Sequence, residues 1–310
     1  MTIRSRPSAG FTLIEMIMVI TITGVIAGMV AVFITTPVQG YVDSVRRAEL
    51  TDQADVALRR IARDVRLALP NSLRIMERSG ATTNVGTCQT AGFICYIEFI
   101  PTRSGGRYRD TADGSSDPTP ASTPDCDASP TPADGPCFLD FTTAANRSFD
   151  VLGTLPEMAV NDHVVVFNLT TNNVAGQTDG NAYVGDNRAQ ISAIDGNTVT
   201  LTANTFAAQS PPLQSPSARF QVVPNAEQAV TFMCATSAPA DLSKFWNYGF
   251  NAAQDVPGGN SAVLAGNATC QVEYQPNATG RNGLLYIRLT LTNNGESVTL
   301  FNQIHVDNAP

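Results

Sequence analysis

Six consecutive residues, Gly10-Phe11-Thr12-Leu13-Ile14-Glu15, carry the strongest chemical signal in the chain. Glu15 is the single charged side chain in the 24 residues from Phe11 to Ile34. At about 1.5 Å per helical residue that run reaches roughly 36 Å, enough to cross a hydrocarbon core. A carboxylate at the end of such a span is costly in lipid and so asks for a function. Upstream, Arg4 and Arg6 precede Ser8-Ala9-Gly10, a short basic segment ending in a small residue, as a processing segment does. A conventional export signal is cut after its apolar run, but Thr35-Thr36-Pro37-Val38 offers no such site. A cut after Gly10 would leave the apolar helix on the mature chain.

Six cysteines, Cys88, Cys95, Cys126, Cys137, Cys234 and Cys270, all lie beyond the apolar run. An even number on an exported body predicts disulfides. Fifteen connectivities are open; local closure would pair Cys88 with Cys95, Cys126 with Cys137 and Cys234 with Cys270. A metal site is disfavoured, because no C-x-x-C occurs and His163 and His305 are far from any cysteine pair. Neither histidine has a Ser or Cys partner in a recognisable spacing, and no Gly-rich phosphate loop appears. No catalytic residue, metal or cofactor is therefore expected, and a tethered hydrolase is the least favoured class. Asp110, Asp113 and Asp117, or Asp179 and Asp186, could hold Ca²⁺ through loop oxygens, although such loops are usually just solvated.

Charge limits the partners. Beyond Pro70 there are eleven basic and 21 acidic residues, in a chain of 310 residues with net charge −8. That balance disfavours nucleic acid, whose phosphates are bound by Lys and Arg. No second apolar run approaches membrane-spanning length, so the chain is a globular body on one anchor. Arg4 and Arg6 keep the short N-terminal end cytoplasmic and the body outside.

The anchor continues into a second helical half. Leu50, Ala54, Leu58 (or Ala57), Ile61, Val65 and Leu69 recur every three or four residues, and Leu50, Leu58, Ile61 and Val65 are expected in the core. Arginines and acids occupy the opposite face. Pro37 should kink or locally open the helix between its halves, and Pro70 should end it. After Pro70 short β-runs take over: 93–100, 137–141, 163–169, 189–194, 198–202, 219–223, 229–234, 269–274, 284–291 and 297–306. Asp195-Gly196-Asn197 and Asn293-Asn294-Gly295-Glu296 read as hairpin turns. Arg103 to Pro136, rich in Asp, Pro, Ser, Thr and Gly, reads as a mobile loop pinned by Cys126–Cys137. The expected division is 1–10 leader, 11–36 membrane half, 37–69 amphipathic half and 70–310 head. Whether the head is one unit or two stays open, with breaks possible near Pro156 or Pro211-Pro212. The fold class is α+β: one long helix packed by its second half on a mainly antiparallel sheet, enlarged by further strands and loops.

The motif at residues 10–15, followed by its apolar helix, resembles the class III signal of type IV pilins and type II secretion pseudopilins. The segments 37–41, 59–66 and 305–308 look similar to minor pilins of mannose-sensitive haemagglutinin pili, the MshO type. A J-type pseudopilin or W-type minor pilin is the neighbouring alternative. The resemblance implies cleavage by a prepilin peptidase between Gly10 and Phe11 and N-methylation of Phe11. It implies that Glu15 meets the N-terminal amine of another subunit. Its implied partners are other pilin-like subunits, the peptidase, and the bacterial inner membrane with its assembly platform. A head of this size also admits a binding role, as an adhesin.

Overall fold

The computed structural model describes residues 10–110, 126, 137–171, 179–276 and 282–310, without the side chains of 35–37. Helix α1 (Leu13–Arg66) runs for 54 residues and is continuous across position 37. It stops three residues before the expected Leu69. The segment following the fourth strand captures the backbone there: Thr102 N–H donates to Leu67 O, and Leu69 N–H to Ile100 O, both at 2.7 Å. Those bonds replace the continuing helical ladder.

Four strands follow: β1 (Arg74–Ser79), β2 (Thr82–Val85), β3 (Thr87–Cys88) and β4 (Ile94–Phe99). The next six are β5 (Ser104–Tyr108), β6 (Ser148–Leu152), β7 (His163–Val165), β8 (Arg188–Asp195), β9 (Thr198–Leu201) and β10 (Arg219–Val223). The last five are β11 (Val230–Ala235), β12 (Ala240–Trp246), β13 (Asn260–Gln275), β14 (Asn282–Asn293) and β15 (Glu296–Asp307). β5 to β10 close into a barrel in the order β10-β5-β6-β9-β8-β7. The rest form a nine-stranded antiparallel sheet, β15-β14-β13-β12-β11-β4-β1-β2, with β3 beside β13. The chain is therefore α+β, a long helix with a β-rich head.

The packed half of α1 lies on β13, β14 and β15. Its Leu50, Ala54, Ala57, Leu58, Ile61 and Val65 are buried in one core with the sheet. The barrel has its own core around Tyr108, Phe149, Phe206 and Phe220, and no α1 residue enters it. A third cluster joins the two through Leu69, Ile100, Val165, Tyr183 and Val223. At the same junction the half-buried Arg74 of β1 donates to Glu98 of the adjacent β4 at 2.7 Å, and it reaches across to the Tyr183 ring, 3.6 Å away. Burial pushes the Glu98 carboxyl up, against the pull of Arg74.

Three further expectations need correction. Ser104–Tyr108 is a barrel strand rather than the start of a mobile loop. Its glycines permit a close approach, since a Cβ on Gly106 would lie 2.8 Å from the Phe220 ring. Residues 137–141 are not a strand. The Asp140 carboxylate accepts from the Thr142 and Thr143 N–H groups and from Asn146, turning the chain at that point. The expected strand 163–169 stops at Val165, and Phe167 adopts a positive φ of 51°. Residues 111–125 and 127–136 lie outside the described residues. Pro156 and Pro211-Pro212 fall between barrel strands. The passages between sheet and barrel are at 100–103 and 224–229.

Candidate functional site

The N-terminal stretch is positioned by one cap. Thr12 sits in extended geometry (φ −80°, ψ 151°), and its Oγ1 accepts from Glu15 N–H at 3.4 Å. Thr12 O also accepts from the N–H groups of Glu15 and Met16. Thr12-Leu13-Ile14-Glu15 thus has the T-x-x-E spacing of a capping box, a local signal not used in the expectations above. The spacing puts Glu15 in the first turn, where the helix dipole favours an anion. The carboxylate itself is exposed and has no partner among the described residues.

From Phe11 to Ile34 every side chain is exposed, and the described residues of the head bury none of this surface. Phe11 is 78% and Phe33 84% exposed. The hydroxyls in this stretch satisfy themselves: Thr21 Oγ1 donates to Ile17 O at 3.0 Å, and Thr23 Oγ1 donates to Val19 O. Such back-bonding removes the cost of a bare hydroxyl in hydrocarbon. The half is thus long enough and apolar enough to anchor in a membrane. Beyond it, Arg47 meets Glu296 of β15 at 2.5 Å, and Asp64 meets Lys244 of β12 at 2.9 Å, fixing the packed half to the sheet. Glu296 is held below the ordinary carboxylate range by its hydrogen bond from Arg47.

All six cysteines are paired: Cys88 with Cys95, Cys126 with Cys137, and Cys234 with Cys270. The first and third tie strands of the sheet; the second lies beside the barrel. His163 is buried on β7, edge-on to Phe250, and burial together with Arg188 lowers its pKa to about 4. His305 is exposed on β15. Asp186 spends its carboxylate on the N–H groups of Asp179 and Asn181, which closes a turn. Among the described residues no group of three His, Cys, Asp or Glu side chains could hold a metal ion; Asp113 and Asp117 lie outside them.

Residues 5–31 match the family model for the prokaryotic N-terminal methylation motif. This is a type IV pilin-like signal. Searches of curated proteins and of solved structures returned no match. A signal of this kind suggests processing by a prepilin peptidase and assembly with other pilin subunits, the part of a structural protein. Gly10, Phe11 and Glu15 all fall inside the matched residues.

Proposed function

We propose that the chain is a minor pilin of a type IV pilus of the mannose-sensitive haemagglutinin kind, similar to the MshO type, helping to initiate or cap the fibre. The observation that carries the reading is the methylation motif at the head of a helix whose first half is bare and whose second half holds the sheet. In this reading residues 1–10 are the leader, 11–36 span the inner membrane and 37–69 bind the head, residues 70–310, in the periplasm. The peptidase cuts between Gly10 and Phe11, and Phe11 is then N-methylated. Glu15 receives the α-amino group of an adjacent subunit. A carboxylate and an ammonium, each costly alone in low dielectric, are tolerable there as a pair.

The test has two parts. Mass spectrometry of the mature protein should show Phe11 as the first residue, one methyl group heavier; an N-terminus at Met1 refutes processing. Glu15→Gln should lower incorporation into sheared fibres by about tenfold or more, roughly the worth of one charge pair, while membrane insertion is unchanged. Normal incorporation refutes the pairing role.

A second reading, a binding module carried outward by the fibre, is favoured by the barrel. The barrel shares no core with α1, so assembly through the helix does not explain it. Loss of surface adhesion with normal fibre number, on removal of the barrel, would support that reading.

A further inference from the structure

β15 is an uncovered edge of the nine-stranded sheet. It pairs with β14 along twelve residues and, among the described residues, with no strand on its other side. The hairpin residues Asn294 and Gly295 have φ of 48° and 86°. That two-residue turn closes on a hydrogen-bonded pair, Asn293 and Glu296. Alternation along the ladder then gives the even-numbered residues of β15 to β14 and turns the main-chain groups of Ser297, Thr299, Phe301, Gln303 and His305 outward. The same five side chains are exposed, and no main-chain bond from another described residue reaches these groups.

Long edge strands are normally defended by lysine, proline, a bulge or shortness. β15 has no such defence. Its register is unbroken, and Ser297 to Val306 contains no proline, lysine, arginine, aspartate or glutamate. Beside it the face of the sheet turned away from α1 holds a depression of about 250 Å³, whose lining includes Gln271, Glu273, Tyr286, Arg288, Phe301 and Gln303. Phe301 is 81% exposed. Arg288, its register partner on β14, makes no ion pair and donates no hydrogen bond to another side chain among the described residues. A free edge with a side-chain pocket next to it is the arrangement by which sheets accept an added strand.

The ends of β15 give the direction. Glu296 is tied to Arg47 and Asn308 to Asn71, so β15 runs beside the packed half of α1 and in the same sense. A second copy anchored in the same membrane would present its own β15 parallel to this one. An antiparallel partner must come from a different strand, and β2, the opposite edge of this sheet, runs antiparallel to β15 but carries no carboxylate to offer Arg288. We propose that the β15 edge accepts an extended segment of a neighbouring, different pilin-like subunit, running antiparallel to β15 and placing a carboxylate against Arg288. The inference rests on the assembly reading above.

The test uses the full-length chain in cells, with fibre content and membrane content measured together. Thr299→Pro with Gln303→Pro removes two outward N–H groups and leaves the β14 ladder intact. This variant should lose about tenfold or more of its fibre incorporation at equal membrane level and with native disulfides. Arg288→Glu, on an exposed position, should lower incorporation severalfold without a folding cost. Hydrogen exchange of the 297–305 segment should slow about tenfold or more in fibres relative to the detergent-extracted protein. Unchanged exchange overturns the proposal. So does wild-type incorporation of both variants while Glu15→Gln is blocked, and the assembly reading then stands. If Glu15→Gln incorporates normally, the assembly reading falls, and this inference with it.

Discussion

The sheet and the barrel are made of the same antiparallel strands but complete their cores differently. The sheet fills one face with α1, through Leu50, Ala54, Leu58, Ile61 and Val65. Each such large aliphatic side chain contributes about 1.5–3 kcal/mol by burial. The barrel closes on itself around Tyr108, Phe149, Phe206 and Phe220 and takes nothing from the helix. It enters and leaves the sheet through neighbouring strands, with Arg103 N–H donating to Val222 O at 2.8 Å. The part that depends on α1 is thereby bound to whatever the helix does, and the barrel is free of it. An open sheet needs a covering layer, whereas a closed barrel buries its own inner face.

That contrast can be broken most severely at Ile61, which is fully buried against the sheet. Ile61→Asp would place an unpaired charge in that core and cost at least about 5 kcal/mol. The sheet should unfold, reported by its one tryptophan, Trp246 of β12, while barrel strands keep their amide protection. Joint loss of both would show that the barrel is not independent.

Next in size is the cross-link between β11 and β13. Cys234 and Cys270 close a 36-residue separation. Replacing both with Ser should cost the sheet about 4 kcal/mol on the chain-entropy account, seen as a lower denaturant midpoint for Trp246. An equal fall in the barrel transition would argue for one cooperative unit.

The barrel has its own acid sensitivity. His163 titrates near 4 in the fold because burial and Arg188 disfavour its charged form, against an ordinary value of 6.5. Its folded pKa is the lower one, so protons favour the unfolded chain. The stability is whole above about pH 6.5 and is lost as the pH falls through about 4. The full shift corresponds to about 3 kcal/mol. His163→Leu should flatten the barrel's stability profile over that window and leave the Trp246 transition where it was. An unaltered barrel profile would show that the histidine is not held neutral.

The smallest effect is expected from the largest excision. Replacing 104–222 by a short linker should leave the Trp246 transition within about 1 kcal/mol, since the removed ends are neighbours and the shared cluster is small. A collapse of the sheet would show that the Arg74–Glu98 and Tyr183 junction is essential to it.

Much of this architecture is legible in the amino-acid sequence. The spacing of Leu50, Leu58, Ile61 and Val65 marks the face that the sheet covers, because helical periodicity is written locally. Asn294-Gly295 marks the β14–β15 hairpin for the same reason. Ser104–Tyr108 is not legible, since its Gly-Gly pair lowers strand propensity and is tolerated only because the Phe220 ring needs that space. Residues 137–141 mislead in the opposite direction: their apolar content reflects burial of Leu139 and Phe141 in the barrel core, not strand pairing. β1 and β12 escape notice because Arg74, Glu77 and Lys244 interrupt the alternation, and their charges are met only by distant partners, Glu98, Thr90 and Asp64.

The sequence by itself determined the pilin-like signal, the bare membrane-length half of α1 and the amphipathic half that follows. These depend on residues within a few turns of one another, and the chemistry of Gly10, Phe11 and Glu15 is carried by their order alone. Only the tertiary structure decided that six strands leave the sheet to close a barrel, that Arg74 of the sheet lies over the Tyr183 ring of the barrel side, and that β15 is an unpaired edge among the described residues. Strand pairing joins residues far apart in the chain. Which edge remains open is settled only when every other strand has found its neighbour.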